Sequence, residues 1–182
     1  MLYFYHTEEM IITVTQFETP LGQMFAGATE EGICLLGFAD EEKLESEVKG
    51  LPNKFNVEII QGESKYFAPL LKQLNEYFEG KRKEFDLPLI LLGTDFQKDV
   101  WNELLRIPFG TTRSYKQQSI ALNKLDAIRA VAGANGTNRI AIIIPCHRVI
   151  GENGSLTGYG GGLWRKKWLL DLESGQLPLN TL

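Results

Sequence analysis

The chain has 182 residues, of which 43% are hydrophobic and 23% charged, and its formal net charge is −4 at pH 7. This composition is typical of a globular protein with a sizeable core, organised as one medium domain or two small ones. No apolar stretch approaches the roughly 20 residues of a membrane span, and the amino terminus lacks the pattern of a signal peptide. The two cysteines and two histidines show no zinc-ligand spacing and no disulfide framework. We therefore expect a cytoplasmic monomer without a metal or a cofactor.

The charge is unevenly distributed along the chain. Residues 1–89 carry 8 basic and 16 acidic residues, whereas residues 106–148 carry seven basic residues and one acidic residue. A sustained positive block in an acidic chain is typical of a surface that binds nucleic-acid phosphates. Surface charges scattered by chance are the alternative explanation.

The first half of the chain is predicted to be a small α+β unit. Segments rich in β-formers and separated by turn residues predict a three-stranded antiparallel sheet over residues 11–17, 23–28 and 33–38. Helices are predicted at the charged residues 41–49 and at residues 64–78, where apolar side chains recur at helical spacing. Cys34 has no basic or histidine neighbour in its strand, so we interpret it as a core residue.

A polar stretch at residues 80–84 marks the junction with a second, mostly helical unit. Capping-box patterns at residues 94–97 and 114–117 predict the starts of two helices. The first helix is expected to end before Pro108 and the second near Leu122.

The next predicted helix makes a helix-turn-helix with the one before it, because only a four-residue turn separates them. It covers residues 127–134, with residues 135–136 as its C-cap. Its outer side carries small residues, among them Ala127 and Ala130, with Arg129 as its long cation. Reading bases in the major groove requires several polar side chains, which this helix lacks. The helix is therefore suited to contact DNA closely with little preference for the base sequence. An ordinary helical hairpin is the alternative.

The pentapeptide Pro-Cys-His-Arg-Val at residues 145–149 is the most informative part of the sequence. It follows the apolar run 140–144, which predicts a short buried strand ended by Pro145. A cysteine thiol is only about a few per cent ionised near neutral pH, because its ordinary pKa is about 8.5. His147 can take the proton of Cys146, although neighbours on an extended segment point to opposite faces. Inert core packing of the cysteine is the alternative.

A glycine-rich loop and a final helix complete the chain. The loop covers residues 151–162 and contains Tyr159, which can stack or pack beside a planar ligand. The helix, residues 163–174, is predicted to bury Trp164, Trp168, Leu169 and Leu172. Glu173 and Asp171 both lie near its apolar sector, and spacing does not decide which of them finds a buried partner.

Residues 96–173 resemble the active-site domain of the O6-alkylguanine-DNA alkyltransferases, also called methylated-DNA–protein-cysteine methyltransferases. The resemblance rests on the matched segments at residues 140–150, 158–159 and 168–173. Asn138 and Arg129 stand at the expected distances before the cysteine. The first half resembles the family's amino-terminal domain only in its pattern of strands and helices.

The resemblance implies an α+β protein with a ribonuclease-H-like domain over residues 1–89. A helix-turn-helix, alkyl-accepting domain would follow over residues 90–182. The implied partner is double-stranded DNA containing alkylated guanine, with no membrane and no obligate protein partner.

The resemblance also implies a role for each matched residue. Cys146 would take the alkyl group from O6 of guanine as a permanent thioether. His147 would generate the thiolate through a bound water, and Glu173 would hold the imidazole tautomer. Tyr115 would donate a hydrogen bond to the leaving purine, and Asn138 would brace the turn that holds the cysteine.

The guanine must leave the base stack, which costs about a few kcal/mol. By resemblance, Arg129 fills the vacated space. Further contacts to DNA are assigned to Ala127, Ala130, Asn135, Arg148 and Tyr115. The carbonyls of Cys146 and Val149 would receive the guanine amino group, while Tyr159 and Gly160 would wall the pocket.

Two residues depart from the pattern of many family members. Gly160 stands where some members carry a hydroxyl residue, and Arg139 stands where many carry proline. A glycine-lined pocket is roomier, so we expect alkyl groups larger than methyl to be accepted. The alternatives are a non-catalytic binder of alkylated DNA, an alkylation-sensing regulator and a cysteine hydrolase. The thiol of Cys146 argues against the first, and the lack of a separate effector domain argues against the second.

Overall fold

The computed structural model describes residues 8–39, 49 and 55–176. The helix predicted at residues 41–49 lies outside these ranges except for Lys49, which is helical. The strands of the described part are β1 (Glu8–Thr19), β2 (Gly22–Ala28), β3 (Ile33–Phe38), β4 (Phe55–Gln61), β5 (Arg113–Ser114) and β6 (Val149–Ile150). Its α-helices are α1 (Phe67–Phe78), α2 (Asp95–Leu104), α3 (Tyr115–Ala121), α4 (Ile128–Gly136) and α5 (Leu163–Glu173). Short 3-10 turns occur at Leu125–Ala127 and Cys146–Arg148.

The amino-terminal sheet has four strands in the order β3-β2-β1-β4. The three predicted strands are antiparallel neighbours, and β4 adds to β1 in parallel, so the sheet is mixed rather than purely antiparallel. Strand β4 was not predicted, although Val57 and Ile59 alternate there with the exposed residues Asn56 and Glu58. The α+β fold class is confirmed.

Both predicted capping boxes form. Thr94 Oγ1 accepts from the backbone N–H of Gln97 at 3.3 Å, and Gln97 Oε1 accepts from the N–H of Thr94 at 2.9 Å. Ser114 and Gln117 make the same pair of hydrogen bonds at 3.1 and 2.8 Å. These contacts satisfy amide groups that a helix start leaves without partners, and they begin α2 and α3 at the predicted residues.

The predicted strand over residues 140–144 is wrong, because the chain forms a turn there. Ile142 has a φ of 71°, a left-handed conformation that is unusual for a β-branched residue and costs about 1–3 kcal/mol. An apolar run signals burial, and this turn is buried, but composition does not reveal its backbone path. Two hydrogen bonds of 2.8 Å join Leu36 of β3 to Arg139 and Ala141, so the amino-terminal sheet anchors the turn.

The two halves of the chain share the larger of two buried clusters. Leu36 and Leu74 from the first half and Trp101 and Leu169 from the second belong to the same buried cluster. The domain boundary between residues 89 and 90 stays a prediction. None of the helices in the described part is both long and apolar enough to cross a lipid bilayer.

Candidate active site

Cys146 opens the 3-10 turn and is 8% exposed. The Nδ2 atom of Asn138 donates to the carbonyl of Ile144 at 2.8 Å and to Cys146 Sγ at 3.2 Å. The Oδ1 atom of Asn138 accepts from the N–H of Ile140 at 3.1 Å. One side-chain amide therefore spans the turn and places a polar hydrogen on the sulfur.

His147 is fully buried next to the cysteine, with its Nε2 2.8 Å from Glu173 Oε1. Among the described residues, the Nδ1 atom of His147 finds no hydrogen-bond partner. Burial lowers the pKa of His147, and the opposing attraction of Glu173 does not outweigh it. The imidazole is therefore neutral near pH 7. We assign its proton to Nε2, which leaves the lone pair of Nδ1 available as a base.

The Glu173 carboxylate collects hydrogen bonds from several directions. Arg148 donates to it from Nε at 2.8 Å and from its terminal nitrogen at 2.9 Å, and the N–H of Gly110 donates at 3.1 Å. Tyr77 donates its hydroxyl at 2.7 Å. Burial alone would raise the pKa of Glu173, but the contacts with His147 and Arg148 lower it to about 2. Glu173 is thus an ionised partner for the imidazole.

Asp171, the other acidic residue of this helix, points elsewhere. Its carboxylate accepts from Lys167 Nζ at 2.7 Å in an i,i+4 pair near the surface. The structure therefore brings Glu173, and not Asp171, to His147.

Two residues assigned to DNA contacts lie inside the protein instead. Arg148 is 6% exposed, and its guanidinium donates hydrogen bonds to Glu173 and, at 2.6 Å, to the carbonyl of Ile107. Asn135 is also 6% exposed, and its amide exchanges hydrogen bonds of 3.1 and 2.7 Å with Gln118. That exchange joins α3 to α4. Because α4 continues through Gly136 and Thr137 is its C-cap, the predicted C-cap at residues 135–136 is wrong.

A cavity of about 70 Å³ opens beside Cys146. Its lining combines both halves of the protein and includes Phe38, Asn138, Tyr159 and Gly160. The ring of Tyr159 packs edge-to-face against Phe38 with centroids 6.3 Å apart. Val149, predicted to offer its carbonyl to the base, is buried outside this lining.

Lys166 is a site residue that the sequence analysis missed. Its fully buried ammonium donates to the carbonyls of Val149 at 2.6 Å, Thr157 at 2.8 Å and Gly158 at 3.3 Å. Burial lowers the pKa of Lys166 to about 8, while the nearby thiol group of Cys146 opposes that shift. The sequence does contain a signal for the burial of Lys166, because this residue stands at helical spacing from buried apolar residues further along the same helix.

Tyr115 meets the same loop from the other side. Its hydroxyl donates to the carbonyl of Thr157 at 3.0 Å, and burial raises its pKa. Lys166 and Tyr115 thus fasten the middle of the glycine-rich loop that borders the cavity.

The prediction that the final helix buries Trp164 is wrong, since this residue is 57% exposed. The neighbouring Arg165 is buried instead, with its guanidinium 4.3 Å from the ring centroid of Phe38. Arg165 also donates to the carbonyls of Leu21 and Gly161, each at 2.9 Å. These contacts satisfy the buried guanidinium of Arg165. They also connect the glycine-rich loop to the amino-terminal half.

The outer face of α4 is open. Arg129 and Ala130 are exposed, and Ala127 is partly exposed just before the helix. A Cβ added at Gly133 or Gly136 would meet nothing within 4 Å. The fold does not need these glycines, and Gly133, which lies inside the helix, costs it about 1 kcal/mol relative to alanine.

The positive block of residues 106–148 does not form a single surface. Arg139 and Arg148 are buried, and Glu103 pairs with Arg106 at 3.0 Å and with Arg113 at 2.6 Å. Counting charged residues in the sequence does not distinguish arginines that are buried or paired within the protein from those that are available to bind a polyanion. In the described part of the chain, no group of three or more His, Cys, Asp or Glu residues could hold a metal ion.

The site and fold together define a helix-turn-helix protein with a cysteine nucleophile beside a buried His–Glu pair. Residues 95–175 match the family model of the 6-O-methylguanine DNA methyltransferase DNA-binding domain, and residues 12–91 match the ribonuclease-like domain of the same family. The chain therefore belongs to the 6-O-methylguanine DNA methyltransferase family, as the resemblance in the sequence predicted.

Individual relatives agree with this assignment. A methylated-DNA–protein-cysteine methyltransferase of Methanosarcina barkeri is 45% identical over 88% of this chain and 96% of its own length. The inducible enzyme of that name from Bacillus subtilis is 43% identical over 82% and 83%. The crystal structure of Mycobacterium tuberculosis OGT in complex with DNA superposes with a TM-score of 0.76 at 40% identity, covering 91% of this chain and 95% of that one.

Proposed function

We propose that this protein repairs DNA by moving the alkyl group of O6-alkylguanine to its own Cys146. The bond between the alkyl carbon and the sulfur forms as the bond to O6 breaks, and the purine leaves with a proton. The thioether is permanent, so each molecule acts once. The observation that carries the proposal is the position of Cys146, whose sulfur contacts Asn138 beside the buried pair of His147 and Glu173.

The proton path follows from the protonation states. The neutral His147 takes the thiol proton at Nδ1 through a water, and the ionised Glu173 stabilises the imidazolium that forms. The Asn138 amide then faces a thiolate, which accepts its hydrogen bond more strongly than a thiol does. Tyr115 supplies a hydrogen bond to the leaving purine once its hydroxyl turns from the carbonyl of Thr157.

The DNA is proposed to lie against the outer face of α4. The open surface at Gly133 and Gly136 admits a backbone at close range, which suits the minor groove. Arg129 would enter the stack in place of the flipped guanine, since it is exposed. The extruded base would enter the cavity beside Tyr159 and Gly160.

The pocket wall at Gly160 supports a wider substrate range. With no side chain at this position, we propose that groups larger than methyl are accepted, and that O4-alkylthymine is a second substrate class. Competition by O6-benzylguanine tests the first point, and complete insensitivity to it counts against the idea. We also propose that the protein acts in the cytoplasm, because its mechanism needs a reduced cysteine. We propose that it acts as a monomer, because one chain supplies Cys146, His147 and Glu173.

The chain contains its own control for the central test. Cys34 is fully buried, its sulfur lies 3.5 Å from the carbonyl of Gly27, and burial raises its pKa to about 12. It should therefore be inert, whereas Cys146 should react.

The experiment is intact-protein mass spectrometry after incubation with duplex DNA containing O6-methylguanine. The wild type and Cys34→Ala should each gain one methyl group, and Cys146→Ala should gain none while still binding the duplex. Binding without loss of O6-methylguanine would indicate a non-catalytic binder. Removal of several equivalents per protein molecule would indicate a hydrolase.

A further inference from the structure

Among the described residues of the amino-terminal half, one side chain donates a hydrogen bond to the Glu173 carboxylate. The hydroxyl of Tyr77, on α1, lies 2.7 Å from Glu173 Oε1, the same oxygen that lies 2.8 Å from His147 Nε2. The other donors to this carboxylate, Arg148 and Gly110, belong to the second half. Through Tyr77, the first half of the chain thus forms a direct hydrogen bond with the pair of His147 and Glu173.

Tyr77 is held rigidly at this contact. It is fully buried, and its ring packs against Phe78, Phe85 and Phe109 with centroids 5.7, 5.4 and 6.0 Å away. Burial and the charge of Glu173 raise the pKa of Tyr77 well above its ordinary value. The hydroxyl therefore stays protonated and can only donate to the carboxylate.

We propose that Tyr77 is a positioning residue for alkyl transfer, through which the amino-terminal half fixes the place and the effective charge of the Glu173 carboxylate that orients His147. The inference rests on the proposed function, because it assigns a part in that reaction. Three donors share the negative charge on Oε1 of Glu173, namely the Tyr77 hydroxyl, the His147 Nε2 and a terminal nitrogen of Arg148. A carboxylate that gives part of its charge to Tyr77 holds the imidazole in place but attracts its proton less.

Loss of the Tyr77 hydroxyl would have two effects. The carboxylate of Glu173 would lose a fixed contact, so His147 would be aligned less often for transfer. The negative charge of Glu173 would also act more fully on His147, and the pKa of His147 would rise. The charged or titratable groups that act on this pair are Tyr77 on α1, His147 and Arg148 on the 3-10 turn, Tyr159 on the glycine-rich loop and Lys166 on α5.

The variant Tyr77→Phe isolates the hydroxyl, since it keeps the ring and its aromatic contacts. Tyr66→Phe is a matched control from the residue just before α1, because its hydroxyl donates to the carbonyl of Glu30 at 3.0 Å, away from the site. Both variants and the wild type would be assayed for single-turnover transfer from methylated duplex and from free O6-benzylguanine between about pH 5 and pH 9.

Tyr77→Phe should transfer about tenfold more slowly, the size expected for losing one hydrogen bond to a charged group. The factor should be the same for duplex and free base, with unchanged Kd for DNA, because the contact serves the chemical step. The acid limb of the pH–rate profile should move to higher pH, since His147 loses its proton less readily. Tyr66→Phe should match the wild type in rate and profile.

A second measurement follows the imidazole itself. The chain has two histidines, so a His6→Gln background leaves His147 as the source of the imidazole NMR signals. Its titration should shift to higher pH when Tyr77→Phe is added to that background. A packing role alone would lower thermal stability without moving this titration.

The outcomes separate the inference from the proposed function. Failure of the wild type to become alkylated would overturn the proposed function. An active wild type with Tyr77→Phe equal in rate and profile would overturn the role of Tyr77. A slower variant whose profile and His147 titration stay in place would also overturn it, because the hydroxyl would then be structural only.

Discussion

The Nδ2 atom of Asn138 lies 3.2 Å from the sulfur of Cys146, so the amide that braces the reactive turn also contacts the nucleophile. The same nitrogen donates to the carbonyl of Ile144, two residues before the cysteine. Because both acceptors share one amide group, the position of the sulfur is tied to the shape of the turn. That turn contains Ile142 in a left-handed conformation, which needs support from its surroundings.

Replacing Asn138 should therefore affect both stability and transfer. Asn138→Ala should lower the free energy of unfolding by about 1–3 kcal/mol, because it leaves buried backbone groups without their partner. Transfer should slow by at least about tenfold, since the sulfur also loses its donor. Urea denaturation and single-turnover alkylation measure the two effects. Asn102→Ala, on the exposed side of α2, is the control, and a normal rate in folded Asn138→Ala would contradict the role of the amide.

Stability should fall as the pH falls, in two windows. The pKa of His147 is lowered from 6.5, so below about pH 6.5 the unfolded chain binds a proton that the folded chain resists. The pKa of Glu173 is lowered from 4.5 to about 2, so its contribution is complete above about pH 5 and is lost as the pH falls towards 2. Together these shifts predict that the protein is more stable at pH 7 than at any lower pH and loses stability steeply in acid.

Urea unfolding at a series of pH values checks this expectation. The Glu173 contribution should be at most about 3 kcal/mol. Glu173→Gln should lose about 3–5 kcal/mol at pH 7, because the charge of Arg148 is left buried without its partner, and its profile below pH 5 should be flatter. A wild-type stability independent of pH between 7 and 4 would refute the assignment of these protonation states.

Local signals in the sequence predicted local structure well. The capping boxes that begin at Thr94 and Ser114 could be predicted, because a capping box depends on two residues that are three positions apart. The buried turn at Ile142 was not readable, because an apolar run of this length fits a strand or an irregular buried segment equally.

Burial of charged residues was the main source of error at the site. Arg148 was assigned to a DNA contact and neither Arg165 nor Lys166 was assigned a role, but each finds carboxylate or carbonyl partners elsewhere in the fold. Only tertiary contacts reveal such partners. For the same reason Tyr77 looked like one more apolar position of its helix, and its contact with Glu173, 96 residues away, could not be foreseen.

Lys166 should prove important for the shape of the pocket. Lys166→Met removes the ammonium that joins the carbonyls of Val149, Thr157 and Gly158, so the glycine-rich loop should loosen. We expect transfer to slow by about tenfold or more, as lost positioning at a site commonly does, and amide hydrogen exchange in residues 157–160 to accelerate. Lys167→Met is the matched control, because this neighbour is exposed and pairs with Asp171 near the surface. Equal loop protection in the two variants would contradict the role of Lys166.

Gly133 should show opposite effects on stability and DNA binding. Gly133→Ala should stabilise the protein by up to about 1 kcal/mol, because alanine favours the helix and the added Cβ meets nothing within 4 Å. Duplex binding should weaken slightly in this variant and strongly in Gly133→Leu, whose side chain projects from the proposed DNA face. Thermal unfolding and fluorescence anisotropy with duplex DNA measure the pair. Wild-type affinity in Gly133→Leu would place the DNA elsewhere.

Arg129 provides the test of base flipping. Its side chain is exposed near the start of α4 and makes no ion pair or hydrogen bond with the described residues, so its removal should leave stability unchanged. Arg129→Ala should slow repair of duplex O6-methylguanine by about tenfold or more, because nothing fills the space left by the extruded base. Transfer from free O6-benzylguanine, which needs no flipping, should keep the wild-type rate. Lys72→Ala removes one exposed cation from α1, away from the helix-turn-helix, and controls for the general effect of charge. If Arg129→Ala repaired duplex and free base with the wild-type ratio of rates, the arginine would have no part in holding the flipped state.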